Sequence, residues 1–100
     1  MSYELIVGLN IISDELYSKY REAMTPILKS FGGGFRYDFK VSEVLKNEEG
    51  RSINRVFAIF FKDQLCMEEF FSHPDYLKIK SEFFEGSVGD TTIISQYPRD

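Results

Sequence analysis

The sequence predicts an α+β domain of order β-α-β-β-α-β, in which a four-stranded antiparallel sheet carries both helices on one face. Three observations lead there. Leu5, Val7, Leu9 and Ile11, then Phe35, Tyr37, Phe39 and Val41, then Phe57, Ile59 and Phe61 each alternate with other residue types, the pattern of strands that bury one face. Between and after them, two apolar stripes recur at three- and four-residue steps, as helices require. Glycine and polar clusters punctuate the boundaries. This order is the split βαβ, or ferredoxin-like, plan.

Taken in order, residues 3–12 read as the first strand, and Ser13 is placed to cap the helix that follows. Leu16, Tyr17, Tyr20, Met24, Ile27, Leu28 and Phe31 form its buried stripe, and Pro26 inside the stripe predicts a kink or break near Thr25. Gly32, Gly33 and Gly34 stop the helix. Residues 35–46 and 53–62 are expected to form a hairpin around the polar turn Asn47-Glu48-Glu49-Gly50. Asp63 caps a helix carrying Leu65, Cys66, Met67, Phe70 and Phe71, which His73-Pro74 interrupts. A second helical piece carries Tyr76, Leu77, Ile79, Phe83 and Phe84, and the last strand, residues 90–97, ends at Pro98.

A chain of 100 residues is expected to be one domain. Its 43% hydrophobic residues, with 10 Phe and 6 Tyr, are a globular composition. No apolar run approaches the roughly 20 residues that span a bilayer, so no membrane partner is expected. One cysteine excludes an internal disulfide framework and fits a reducing cytoplasm. Twelve basic residues scattered among sixteen acidic ones give a net charge of −4 and no positive patch, which argues against nucleic acid as a partner.

The expected helix-side row is Leu5, Val7, Leu9, Phe35, Phe39, Phe57 and Ile59, with Tyr37 among them. The opposite face mixes Ile6, Ile12, Val56, Ala58 and Phe60 with polar residues, and a face that apolar calls for a cover. A two-fold homodimer with its sheets face to face is the simplest cover. Gly8 and Ala58 leave volume near the middle of that face, and Asn10, Arg36 and Asp38 flank it, so Gly8, Asn10, Arg36, Asp38, Ala58 and Phe60 are the candidate ligand-binding residues. The ligand expected there is a small apolar or aromatic molecule rather than an anion, because Phe60 supplies an aromatic wall. The plainer reading of Arg36 and Asp38 is a surface ion pair at the sheet edge, worth about 1 kcal/mol or less.

Tyr17, Tyr20, the helix exit Phe31-Gly32-Gly33, Phe61 and the segment His73-Pro74-Asp75-Tyr76 together resemble the bacterial domain of unknown function 1330 family. The resemblance runs from about residue 4 to residue 95 and implies the dimeric α/β-barrel superfamily, hence the same fold and a dimer. Four positions depart from the family's tendency. Gly34 and Asp38 stand where arginine is common, Phe60 where glutamate is common, and Phe83 where a basic residue is usual. A ligand or activity shared by the family is therefore one this chain is equipped to lack.

No familiar catalytic chemistry presents itself. The triple glycine follows a helix and precedes a strand, the reverse of a phosphate cradle. His73 and Cys66 are too few for a zinc site and too far apart for a nucleophile pair. His73 reads as a helix-break residue, with a general acid or base at a cleft mouth as its functional alternative. No cofactor and no metal are expected. Two functions stay open: a binding or structural homodimer, and, as the superfamily resemblance implies, a cofactor-free small enzyme of the monooxygenase or isomerase kind acting on an apolar or aromatic metabolite.

Overall fold

The computed structural model describes residues 1–100. Strand β1 (Ser2–Ile11) leads to helix α1 (Asp14–Ser30), strands β2 (Gly34–Lys40) and β3 (Arg55–Phe61), helices α2 (Gln64–Ser72) and α3 (Pro74–Ile79), a π-helical turn over Lys80–Phe84, and strand β4 (Val88–Arg99). The sheet order is β2-β3-β1-β4, with β3 and β4 antiparallel to β1 and β2 antiparallel to β3. This is the ferredoxin-like arrangement, an α+β fold with the helices on one face. Leu5, Val7, Leu9 and Ile11 of β1 and Phe57, Ile59 and Phe61 of β3 form one core with Tyr17, Tyr20, Met24 and Leu28 of α1, Phe70 of α2 and Tyr76 of α3.

The caps are those the residue types demand. Ser13 Oγ accepts from the Leu16 amide at 3.3 Å and Asp63 Oδ1 from the Cys66 amide at 2.8 Å. Helix α1 closes with Gly32 N–H donating to Lys29 O and Gly33 N–H to Leu28 O, both at 3.0 Å, while Gly32 takes φ 72°. This paired pattern is a Schellman closure. Gly33 is needed for a separate reason. A Cβ there would stand 2.5 Å from the Phe60 carbonyl oxygen and 2.6 Å from Leu28 Cδ1, so the helix exit lies directly on β3.

Several expectations are corrected. Helix α1 runs unbroken through Pro26. Proline removes the donor to Glu22, but both residues face solvent, where water satisfies the freed carbonyl, and the Thr25 hydroxyl bonds back to Arg21 O within the same turn. The β2–β3 pairing stops at Lys40 and Arg55, leaving residues 41–54 as a long loop rather than a tight hairpin. Strand β4 continues through Pro98, which an edge strand tolerates because no partner needs its amide.

The largest correction concerns β2. Phe35 pairs with Ile59, but Tyr37, not Arg36, pairs with Ala58. Arg36 is therefore the extra residue of a β-bulge, and the strand changes phase there. Asp38 comes beside Phe57 on the helix side, whereas Tyr37 and Phe39 join Ala58 and Val56 on the open side, 56% and 55% exposed. Arg36 and Asp38 end on opposite faces and make no pair.

Candidate functional site

Between the helices and the sheet lies a cavity of about 260 Å³, bounded by Leu5, Val7, Leu9, Phe57 and Ile59 from the central strands, Tyr17, Tyr20, Arg21 and Met24 from α1, and Phe35, Phe71, Tyr76 and Phe84 around the sides. Thr91 and Ile93 form its β4 rim, and Lys80 completes the lining. Lys80 and Phe84 are the two ends of the π-turn, closed by Glu85 N–H donating to Lys80 O at 3.1 Å. The extra residue in that turn widens the helix locally, a device that recurs at functional sites.

One flank of the cavity is charged. Arg55 donates to both oxygens of Asp38, from Nε at 2.7 Å and Nη2 at 2.9 Å, and Arg21 Nη1 reaches Asp38 Oδ2 at 3.2 Å. Burial pushes the Asp38 carboxyl up, but hydrogen bonds from Arg55 and the charge of Arg21 outweigh it and hold it below its ordinary range. The Arg21 guanidinium lies 3.8 Å from the Phe35 ring centre and 4.9 Å from that of Phe57, in cation–π contact with both. Its Nε donates to the Tyr17 hydroxyl at 2.8 Å.

Two further hydroxyls meet on the wall, Tyr20 and Tyr76, 2.9 Å apart. Burial raises all three phenols above their usual value. Tyr76 adds to the effect at Tyr20, and Arg21 partly offsets it at Tyr17. Near neutrality they keep their protons and act as hydrogen-bonding groups.

The residues singled out in the sequence are dispersed. Gly8, Asn10, Arg36, Ala58 and Phe60 lie on the open face and Asp38 on the other. The space above Gly8 is occupied by Ile53 from the 41–54 loop, whose side-chain atoms lie 3.0 to 3.2 Å from where a Cβ would be. Asn10 pairs with Asp90 at the end of β1, and Ala58 is buried between Ile6 and Tyr37. Arg36 covers Phe60, its guanidinium 4.0 Å from the ring centre, and donates to Glu4 at 2.9 Å. Glu4, 1% exposed, also accepts from Arg99 at 2.8 Å and from the Tyr97 hydroxyl. His73 lies in the helical layer, where Nδ1 accepts from the Asp75 amide at 3.1 Å and the ring packs edge-on against Phe31.

Tyr17, Tyr20 and Tyr76 enter the sequence reading as members of apolar stripes and of the family resemblance, not as site residues; Lys80 reads there, with Lys78, as part of a solvated helix face, and Arg21 is not singled out. The available signal was chemical: three phenols where leucine would pack as well, and an arginine directly after Tyr20 and four residues after Tyr17.

Residues 3–97 match the family described as Domain of unknown function (DUF1330). The chain belongs to this family. The match takes in β1 through most of β4, and so every residue lining the cavity. No curated protein matches the chain. Among solved structures, this DUF1330 chain is similar to a protein of unknown function from Rhodopseudomonas palustris, 14% identical over 99% of this chain and 83% of that one, with a TM-score of 0.79. It is also similar to a dimeric ferredoxin-like protein of unknown function from Bacteroides fragilis, 12% identical over 96% of this chain and 94% of that one, with a TM-score of 0.60. A third is the hydroxynitrile lyase of Passiflora edulis, 12% identical over 96% of this chain and 91% of that one, with a TM-score of 0.65. At such identities the likeness carries the fold alone.

Proposed function

We propose that the protein is a homodimeric small-molecule-binding protein whose ligand, apolar or aromatic in body, occupies the cavity between the helices and the sheet. The cavity is the observation that carries this reading. Phe35, Phe57 and Phe84 ring this volume rather than fill it, which leaves a concave, apolar-walled space with a few polar groups on its wall. Its size lies between an engineered void of about 150 Å³ that takes benzene and the roughly 300–1,000 Å³ pockets of drug-sized ligands, which fits a molecule with one ring or a short branched chain. The phenols favour binding over base catalysis because they hold their protons near neutral pH. The cytoplasm suits its lone free cysteine, Cys66.

The test is native mass spectrometry of the freshly purified chain, followed by thermal-shift screening with single-ring and branched-chain compounds. Binding is expected to be lost in Ile93→Trp, which places an indole at the half-exposed β4 rim and spares the core. A protein that retains no small molecule and whose Tm no compound raises refutes the reading.

Dimerisation is supported by the open face, where Tyr37 and Phe39 stack with ring centres 5.9 Å apart and Ile94 is 52% exposed. The Bacteroides fragilis relative is described as dimeric. Sedimentation velocity at micromolar concentration is expected to give twice the chain mass of 11.7 kDa, and Phe39→Glu to give the monomer. A monomeric wild type refutes this part.

A further inference from the structure

The polar groups of the cavity have one electrical sense. Its only charged lining residues are Arg21 and Lys80, both cationic. The carboxylate in contact with Arg21, Asp38, lies outside the lining and is held through both oxygens by Arg55, which also has Asp14 as a neighbour. Both carboxylates of the cluster, Asp38 and Asp14, lie outside the lining, so the charges that face the apolar space are those of Arg21 and Lys80. Within Arg21, Nε is used by Tyr17 and Nη1 by Asp38, but Nη2 is buried and donates to nothing. A buried unmet donor on a charged group is expensive. Nε and Nη2 share one edge of the guanidinium, so one of the two unmet Nη2 N–H bonds lies on the edge that faces Tyr17. The Tyr17 hydroxyl accepts from Arg21, and its own proton has no protein acceptor.

We propose that this edge is an anion subsite and that the ligand is a small carboxylic acid, its ring or branched chain among Val7, Phe57 and Ile59 and its carboxylate accepting from Arg21 Nη2 and the Tyr17 hydroxyl. The proposal rests on the cavity being the ligand site and adds the charge of what enters it. A carboxylate is the acceptor that matches two converging donors beside a guanidinium that shares Asp38 with Arg55. The preference for a neutral ligand drawn from the sequence rested on Phe60, which stands on the opposite face under Arg36. A neutral alcohol of the same shape gains the apolar walls but adds no negative charge beside Arg21.

Isothermal titration of the whole chain with benzoate and isovalerate, each against its alcohol (benzyl alcohol, isoamyl alcohol), separates the possibilities. At least one acid is expected to bind roughly tenfold or more tightly than its alcohol, the factor a charge-assisted hydrogen bond supplies. Arg21→Gln is expected to abolish that preference, and Tyr17→Phe to reduce it by a smaller factor. If Arg21→Gln fails to fold by circular dichroism, the wild-type comparison decides alone. Equal binding of acid and alcohol overturns the anion subsite and leaves the cavity reading intact. Binding of neither class overturns both.

Discussion

Asp38 of β2 holds Arg55 of β3 in a two-pronged ion pair, Nε at 2.7 Å and Nη2 at 2.9 Å, on the helix side of the sheet. The pair exists because the bulge at Arg36 rotates the rest of β2 by half a period. Without that phase change Asp38 would face the open side, and Arg21 and Arg55 would lose the carboxylate they share.

Asp38→Asn is therefore expected to lower stability at neutral pH by about 1 kcal/mol, a modest figure because solvent reaches the pair and screens it. The carboxyl is held below its unfolded value, so its contribution is present above an unfolded pKa of about 3.9 and fades as pH falls through the lower folded value. Glu4 has the same sign, since Tyr97, Arg99 and Arg36 outweigh the upward push of burial. Urea titrations of wild type, Asp38→Asn and Glu4→Gln should differ at pH 7 and converge as pH falls through the lowered folded values. A constant difference across that range contradicts the assignment.

At the alkaline end the phenols dominate. Tyr17, Tyr20 and Tyr76 are raised by burial, so the unfolded chain loses their protons first, near a pH of about 10. Stability is expected to fall as pH climbs beyond that point. Spectrophotometric titration should show these three ionising only together with loss of near-ultraviolet dichroism.

The Tyr20–Tyr76 contact gives a double-mutant test. Either Tyr→Phe change alone strands a buried hydroxyl and is expected to cost about 1–2 kcal/mol, whereas the double change removes both partners and should cost less than the two summed. Additive losses would mean that the hydroxyls do not depend on each other.

Gly33→Ala is expected to destabilise by about 1–3 kcal/mol, since backbone of β3 and the Leu28 side chain occupy the added methyl's place. Gly50→Ala, at φ 73° with nothing within 4 Å, meets only the backbone preference, about 1–2 kcal/mol at most. Melting curves should rank Gly33→Ala below Gly50→Ala.

Element order, both helix caps and the core rows of β1 and β3 were legible because each is written in local chemistry: a Ser or Asp before a helix, an apolar residue at every second place. The phase of β2 was not. Phe35, Tyr37 and Phe39 alternate perfectly, yet the bulge sends the last two to the open face, and an aromatic residue is acceptable there because that face is itself apolar. Composition could not tell the two sides apart. The cavity was hidden for another reason. Its walls come from four strands, α1, α2, α3 and the π-turn, so no single segment shows a hollow, and Tyr17 and Tyr20 satisfy a helical stripe as well as a binding wall. The extra turn residue at Lys80–Phe84 has no marker of the glycine or proline kind.

Asn54 ends the 41–54 loop by imitating a strand. Its side-chain amide accepts from Ile11 N–H at 2.7 Å and donates to Ile11 C=O at 2.8 Å, while its own N–H bonds to Leu9 O at 2.8 Å. A carboxamide is chemically a peptide group, so one side chain does what another residue of β3 would do and seals the end of β1. The integrity of the central strand is thereby uncoupled from the length of the loop ahead of Asn54. Residues can be added or removed around Glu48 and Glu49, or the chain opened there and its termini rejoined elsewhere, without fraying β1.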